Sequence, residues 1–321
     1  QAPAAPHPKD VYVYERGEAV ETAFVDALER GRLHHAWLLC GPEGVGKATF
    51  AYRVARRLLG GRHDPRYGLL GVAPEDPDAR LIATGAHPDL TVLERESEDG
   101  RLKKSISVDA ARALPEFFAK APSRSAYRVA IVDAADDLNV NAANALLKTL
   151  EEPPERGVLL LVAHAPGRIM ATIRSRCRRL TFQPWPEDAV ADFVARRAEV
   201  DANAAARLAG MARGAPGKAL SLAAGPALDF DDLARGLVFE DVVPSDAELQ
   251  HLADGFRGAA GQGRFELLLD RLAEAVRTRA EGEAGQGGRV DRWAAFWEKL
   301  AALPGEADAI MGYDIQVLQA V

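Results

Sequence analysis

Cysteine is almost missing from this sequence, in which Cys40 and Cys177 are the only two among 321 residues. They lie far apart, and neither belongs to a Cys-x-x-Cys pair. A disulfide framework needs several cysteines, and a thiolate zinc site needs closely spaced ones. The sequence therefore excludes both, and it predicts a protein of a reducing compartment, which we expect to be the cytoplasm.

Long apolar runs and excess positive charge are missing too. No run approaches the roughly 20 residues that a helix needs to cross a bilayer, and the Ala/Pro-rich first residues do not have the apolar core of a signal peptide. The formal net charge is −7. We therefore expect no membrane partner, and contact with nucleic acid only locally or through other proteins.

An apolar run, a glycine-rich loop and a helical pattern follow one another between His35 and Thr49. Glycines allow a backbone turn that points N–H groups inward, and the next helix and a lysine add positive charge. This pattern is typical of a phosphate-binding loop, although a plain turn between a strand and a helix is the alternative. We predict that a nucleotide contacts Gly41, Gly44, Val45, Gly46, Lys47, Ala48 and Thr49.

Two positions depart from the pattern of nucleotide hydrolases. Ala48 stands where a hydroxyl normally binds Mg²⁺, and Thr49 comes one residue too late. Asp133 ends an apolar strand, where a carboxylate would lie near the metal, but Ala134 occupies the place of the glutamate that AAA+ ATPases use next to it. We therefore expect that ATP can bind, that Mg²⁺ binds only with the nucleotide, and that useful hydrolysis does not follow.

Asp136 and Asp137 are the acids nearest to this position. Either could act as a base, but both come several ångströms further along the chain, where a helix is about to begin. The favoured interpretation is that they cap that helix.

Strand and helix patterns alternate up to about residue 183. Strands are expected at 36–40, 87–93, 127–133, 158–163 and 180–182, and helices near 139–150 and 167–174. This alternation predicts an α/β domain with a mostly parallel sheet that is covered on both faces. Residues 62–86, rich in Pro, Gly and Asp, are expected to be an exposed excursion from the domain.

The remainder of the chain has helical patterns only. Residues 187–223 are expected to be helical with breaks at Gly210 and at 214–217, and an acidic connection is expected at 229–240. An amphipathic helix carries Phe265 to Val276, a Gly-rich loop follows at 282–288, and a further helix carries Trp293, Trp297 and Leu300 before an apolar tail at 315–321.

Two further runs carry a family resemblance. The runs from Asn144 to Pro154 and from Ile173 to Cys177, together with the glycine loop and His87-Pro88-Asp89, resemble the signatures of bacterial clamp-loader subunits, an AAA+ family. The resemblance covers roughly residues 30–220. It implies a P-loop AAA+ module over 1–183, a helical lid over 184–224 and an all-α collar or oligomerisation domain over 225–321.

The resemblance also implies roles for single residues. In the family, the arginine at Arg176 is an arginine finger that reaches the ATP of a neighbouring subunit, whereas the local sequence alone is equally compatible with a basic patch that includes Arg174, Arg178 and Arg179. Lys218 matches the second sensor, and its alternative is an exposed lysine at a helix start. His164 falls at the first sensor, where we expect a structural role, and Cys177 is expected to be packed.

The resemblance implies a function in DNA replication. We expect a largely non-hydrolysing stator that joins delta and gamma/tau subunits in a hetero-oligomeric ring, and that contacts the sliding clamp and primed DNA through this complex. Many relatives hold zinc with four cysteines after the first helix of the module, and residues 61–86 have none, so we expect no zinc there. The alternatives are an autonomous ATPase motor that uses its own loop, and an adaptor that binds ATP as a structural ligand.

Overall fold

The computed structural model describes residues 5–98, 101–240, 242, 244–257 and 261–285. Up to Thr181 the described chain alternates strands with helices. The strands are β1 (Ala36–Cys40), β2 (Leu90–Glu94), β3 (Ser97–Glu98), β4 (Arg101–Leu102), β5 (Arg128–Asp133), β6 (Gly157–Ala163) and β7 (Arg178–Thr181). The helices of this part are α1 (Glu18–Glu29), α2 (Lys47–Leu58), α3 (Pro77–Ala83), α4 (Val108–Ala119), α5 (Val140–Glu151) and α6 (Ala171–Arg174).

Five of the strands form one parallel sheet in the order β2-β5-β6-β1-β7. Successive side chains of a strand point to opposite faces, so each strand contributes to two cores. Trp37 and Leu39 of β1 pack on the side of α2, and Leu38 packs on the side of α5. The predicted α/β domain with a parallel sheet is confirmed, and all carboxyl ends of its strands lie at one edge.

The prediction that residues 62–86 form an exposed excursion is wrong for several of their apolar side chains. Leu70, Val72 and Ile82 are almost fully buried, and Leu70 and Ile82 belong to the same core as α2. The Glu21 carboxylate also accepts a hydrogen bond from the Leu70 backbone N–H at 3.3 Å. Because these apolar side chains are scattered among Pro, Gly and Asp, their periodicity did not reveal the packing.

The helix predicted near 167–174 is shorter than expected. A 3₁₀ turn at Pro166–Arg168 comes first, and α6 begins only at Ala171. The reason is that Ile169 adopts an extended backbone, with ψ of 137°, which lets its side chain enter the core.

The second half of the described chain consists of helices. They are α7 (Glu187–Ala198), α8 (Ala202–Ala212), α9 (Pro216–Ala224), α10 (Ala227–Phe239), α11 (Asp246–Asp254) and α12 (Gly261–Gly285). Helices α7 to α9 share one apolar cluster, and α10, α11 and α12 form most of another. Among the described residues, no helix has both the length and the apolar character needed to cross a membrane.

Three expectations for this half are corrected. The first break falls at Glu199, where φ is 54°, and Gly210 lies inside α8. The expected acidic connection at 229–240 is helix α10, because Phe230, Ala234 and Val238 follow one another at four-residue spacing and enter the core with α12. Residues 282–285 continue α12 instead of starting a loop. The remainder of that loop, the helix with Trp293, Trp297 and Leu300, and the tail at 315–321 lie outside the described residues.

Candidate functional site

The glycine loop connects the carboxyl end of β1 to the start of α2, as its pattern predicted. Gly41, Gly44 and Gly46 have φ values of 154°, 78° and 102°, a region that side chains with a Cβ rarely adopt. The first N–H groups of α2, at Lys47, Ala48 and Thr49, have no carbonyl within the helix to bond, as at any helix start. These donors and the helix dipole fit the phosphates of a nucleotide. Phosphate binding itself stays a prediction.

Lys47 lies inside the loop and is almost fully buried. Its Nζ donates hydrogen bonds of 2.6 Å to the carbonyl oxygens of Gly41 and Pro42. Burial lowers the pKa of Lys47 to about 8, although the Asp133 and Asp136 carboxylates oppose the change. Two of the three N–H donors of the ammonium are therefore engaged by loop carbonyls, and the third remains for a phosphate.

Asp133 ends β5, next but one to β1 in the sheet, and faces the same edge as the loop. Burial and the Glu94 carboxylate together raise the pKa of Asp133 to about 6, although Lys47 opposes them. The next residue, Ala134, is buried in the core and brings no carboxylate. The predicted pair of Lys47 and Asp133 is therefore brought together, without a second acid at position 134.

Asp136 and Asp137 do not have the predicted capping role. The Asp136 carboxylate accepts the backbone N–H groups of His164 and Ala165 at 2.6 and 2.7 Å, which ties the end of β5 to the end of β6. Asp137 pairs with Arg95 Nε at 3.1 Å. The α5 helix is capped by Asn139 instead, whose side chain accepts the Ala142 N–H. Both Asp136 oxygens are occupied by backbone donors, which argues against a role as a base.

His164 lies at the end of β6 beside these groups. Its backbone N–H is fixed by Asp136, whereas its ring Nδ1 is buried and has no hydrogen-bond partner in the described part of the chain. Burial lowers the pKa of His164, and the positive charge of Lys47 lowers it further. The residue is therefore a neutral imidazole next to the loop, and its backbone serves the structural role that we expected.

Sequence reasoning missed the segment that covers the loop from the amino-terminal side. A Cβ at Gly46 would lie 2.8 Å from the Tyr14 ring, so Tyr14 packs directly on the loop. Two buried arginines of α2 hold this segment: Arg53 donates to the Tyr12 carbonyl, and Arg56 donates to the Val11 carbonyl at 2.9 Å. The available signal was the pair of arginines at i and i+3 among the apolar residues of α2, because a buried guanidinium needs carbonyl partners.

Helix α9 contacts the loop from the other side. The Gly217 N–H donates to the Gly44 carbonyl at 2.8 Å, and a Cβ at Gly44 would lie 2.5 Å from the Lys218 nitrogen. The backbone and the Cβ of Lys218 lie at the loop. Its exposed side chain lines a cavity between the lid and α12. The predicted contact between the Lys218 ammonium and a phosphate at the loop therefore stays untested, and it would require the side chain to turn back.

Arg176 lies at the opposite end of the sheet from the loop. It precedes β7, whose Arg178 is paired with Trp37 at the start of β1, whereas Thr181 is paired with Cys40 just before the loop. Four residues separate Trp37 from Gly41, so at about 3.3 Å for each residue the start of β7 is roughly 13 Å from the level of the loop, and Arg176 precedes that start. Its guanidinium donates to Glu151 Oε1 at 3.0 Å and to the Thr172 carbonyl at 2.9 Å. The arginine is partly exposed and held at the end of α5.

The neighbouring residues of this run have structural contacts. Arg174 donates to the Pro166 carbonyl at 3.0 Å, and Arg178 stacks on the ring of Trp37. Cys177 packs against the core that contains α5, and burial raises the pKa of its thiol to about 12. The packed role expected for Cys177 is confirmed.

The His87-Pro88-Asp89 signature fixes a connection between strands. The buried Asp89 carboxylate accepts the N–H groups of Ser123 and Arg124 at 2.8 Å each, just before β5. Burial opposes the ionisation of Asp89, but these donors outweigh it and hold its pKa below the ordinary value. His87 Nε2 lies 3.2 Å from the Leu59 carbonyl. Within the described chain, no group of three or more His, Cys, Asp or Glu side chains is placed to hold a metal ion.

Comparison with known proteins places this chain in a family. The family model described as DNA polymerase III, delta subunit, matches residues 17–186. The DNA polymerase III subunit delta' of Pseudomonas aeruginosa is 42% identical over 148 residues, which is 46% of this chain and 43% of that protein. The DNA polymerase III subunit gamma/tau of Mycobacterium bovis is 35% identical over 173 residues, which is 54% of this chain and 28% of that protein. This chain thus spans less than half the length of each relative.

A solved structure gives a more distant match. The Holliday junction branch migration motor RuvB of Thermotoga maritima is 19% identical and aligns with a TM-score of 0.41, covering 89% of this chain and 86% of that one.

Proposed function

This chain belongs to the DNA polymerase III delta-subunit family, and we propose that it acts as the delta-prime subunit of a bacterial clamp loader. In this proposal it is a largely non-hydrolysing stator in a hetero-oligomeric ring with delta and gamma/tau subunits. The ring opens the sliding clamp and places it on primed DNA during replication. The family match over residues 17–186, which include the glycine loop and Arg176, and the similarity to a named delta' subunit support this assignment.

The position of Arg176 is the observation that supports the stator role best. The arginine precedes β7, whose start is roughly 13 Å along the strands from the chain's own loop, and its guanidinium is held by Glu151, away from a phosphate at that loop. It is nevertheless partly exposed, at the amino end of an edge strand. A guanidinium in this place can serve a nucleotide only on another subunit, where it would stabilise the charge that develops on the transferred phosphoryl group. Arginine fingers of this type contribute about 10³–10⁵ in rate.

Glu151 and Thr172 hold the guanidinium of Arg176 in the free chain. Two hydrogen bonds, one of them to a carboxylate, fix both ends of the planar group. Because the Glu151 side chain is about half exposed, this ion pair is weak enough to exchange for a phosphate. Glu151 is therefore a positioning residue that points the arginine before a partner binds.

The chain's own loop is proposed to bind ATP without useful hydrolysis. Lys47 and the first N–H groups of α2 would hold the phosphates, and a bound Mg²⁺ would neutralise part of their charge. Ala48 has no hydroxyl to hold that ion, and Ala134 has no carboxylate to orient a water molecule. The lack of these two groups weakens ATP hydrolysis more than ATP binding, because the backbone donors and Lys47 remain.

Arg176→Ala tests the proposal in a reconstituted loader. We expect the complex to assemble and its DNA-stimulated ATPase activity and clamp loading to fall by 10²-fold or more. Arg176→Lys should lower both activities nearly as far, because an ammonium cannot form the planar two-point contact of a guanidinium. Arg168→Ala, which removes an exposed arginine eight residues earlier in the chain, is the control and should leave both activities unchanged. Full activity of the Arg176→Ala complex would refute the arginine-finger role.

The alternative function is an autonomous ATPase motor. The similarity to a gamma/tau subunit and the retained Gly46-Lys47 pair favour it. Steady phosphate release by the isolated chain that Lys47→Ala abolishes would establish this alternative. Titration with a fluorescent ATP analogue, with and without Mg²⁺, distinguishes a structural ATP site from a loop that binds no nucleotide.

A further inference from the structure

A second polar cavity lies between the lid and α12, apart from the glycine loop. Its volume is about 530 Å³, within the range of small-molecule sites. The charged residues around it are Arg213 at the end of α8, Lys218 in the first turn of α9, and Asp270, Arg271, Glu274 and Arg277 of α12. No residue of the loop lines it. Among the described residues that line the cavity, four cations against two acids give an excess of positive charge.

Arg271 is the unusual member of this group. Only 9% of the residue is exposed, and its Nε has no hydrogen-bond partner in the described part of the chain. A buried guanidinium normally has its donors satisfied, because a buried donor without a partner has lost its hydrogen bond to water and gained none in exchange. The donor therefore indicates that a group with acceptor atoms belongs in the cavity.

The acids of the cavity do not meet this need. Glu274 is already engaged, because it accepts hydrogen bonds from Arg213 Nη2 at 3.3 Å and from Arg277. Asp270 is exposed, and in the described part of the chain it forms no ion pair with Arg271. Arg271 and Lys218 are therefore the cations with which an added anion would pair, and the arginines bonded to Glu274 keep other N–H groups for it.

We propose that this cavity binds a small anion of the phosphate class: inorganic phosphate, pyrophosphate or the phosphates of a mononucleotide. Arginine groups favour phosphate because their N–H pairs match two of its oxygens. The depth of Arg271 selects for size, since a small anion can enter the cavity whereas a nucleic-acid backbone would pass over its mouth. The ligand would tie the lid, through Arg213 and Lys218, to α12.

The test measures binding of inorganic pyrophosphate to the full chain by isothermal titration calorimetry, in a Lys47→Ala background that weakens the loop site. We expect binding to persist in this background. Arg271→Met should then weaken it at least 10-fold, and Lys218→Gln about 3-fold or more. Arg264→Met is the matched control, because Arg264 lies on α12 about two turns earlier, outside the cavity, and it should leave the affinity unchanged.

A parallel titration with ADP identifies the source of the phosphate. Affinities for ADP and pyrophosphate within about 3-fold indicate recognition of the phosphates alone, and a gain of 10-fold or more for ADP indicates a nucleotide site. Thermal unfolding shows whether each variant is folded. If the Arg271→Met variant does not fold, Lys218→Gln still tests the cavity, because it changes an exposed side chain. Loss of all pyrophosphate binding in the Lys47→Ala chain, or equal affinity in all cavity variants, would overturn the proposal.

Discussion

The raised pKa of Asp133 predicts that its carboxylate destabilises the fold at neutral pH. The pKa of Asp133 is about 6 in the folded chain, against an ordinary value of 3.8, because burial and Glu94 disfavour the charge more than Lys47 favours it. The folded state therefore binds this proton more tightly than the unfolded state does. Stability is lost as the pH rises from about 4 to about 6, and the whole cost is present above that window.

The size of the effect follows from the two pKa values. At about 1.4 kcal/mol for each pH unit, the difference between 3.8 and about 6 corresponds to a cost of about 3 kcal/mol above pH 6. Asp133→Asn keeps the shape of the side chain and cannot ionise. We expect this variant to be more stable than the natural chain by up to about 3 kcal/mol near pH 7.5, and by less than about 1 kcal/mol near pH 4.

Urea denaturation of both chains at these two pH values measures the difference. Asp109→Asn is the control, because the Asp109 side chain is 91% exposed and its loss should change stability by less than about 0.5 kcal/mol at either pH. A gain for Asp133→Asn that is the same at both pH values, or a loss near pH 7.5, would show that the Asp133 carboxylate is not penalised in the folded chain.

Three other substitutions test the contacts that hold the site. Asp89→Asn should cost about 2–4 kcal/mol in urea at neutral pH, and the loss should shrink in acid, because the folded pKa of Asp89 is lowered. Glu21→Gln leaves the buried Arg53 without its counter-charge and should lower stability by about 3–5 kcal/mol, with partial recovery on adding Arg53→Met. Gly44→Ala should speed amide hydrogen exchange in α9, whereas Gly85→Ala, with a similar φ and no neighbour within 4 Å, should not.

Each of these has a clear contrary result. A loss of stability in Asp89→Asn that does not depend on pH would mean that the Asp89 side chain stabilises the fold by packing and not by its charge. Stability that is unchanged by Glu21→Gln would mean that Arg53 finds enough partners in backbone carbonyls. Equal exchange rates in α9 for both glycine variants would mean that the lid does not rest on the loop.

Local patterns predicted the elements of the α/β part well, because a buried strand has a short apolar run and its helices have one apolar stripe. They failed where two signals conflicted. In α10, Asp229, Asp231 and Asp232 suggested a connection, although Phe230 and Ala234 lie on one face and enter the core. In residues 62–86 the turn-forming residues concealed Leu70 and Ile82, which are anchored by contacts with residues far away in the chain.

Some residues of the site could likewise be placed from the sequence, and others could not. Lys47 and Asp133 could be placed together from the sequence, because the carboxyl ends of parallel strands meet at one edge. The capping role of Asp136 could not be judged in this way, since its partners, His164 and Ala165, follow a different strand. Tyr14 was missed for the same reason, because it reaches the loop from another segment.

The sequence by itself determined the parallel α/β domain, the glycine loop and the absence of a hydroxyl at Ala48 and of a carboxylate at Ala134, since these depend on residue type and short-range order. Tertiary structure alone decided how far Arg176 lies from the loop and that Lys218 and Arg271 share a cavity. It also decided how strongly burial shifts the pKa values of Lys47 and Asp133. The physical reason is that burial, charge and distance depend on which distant segments pack together.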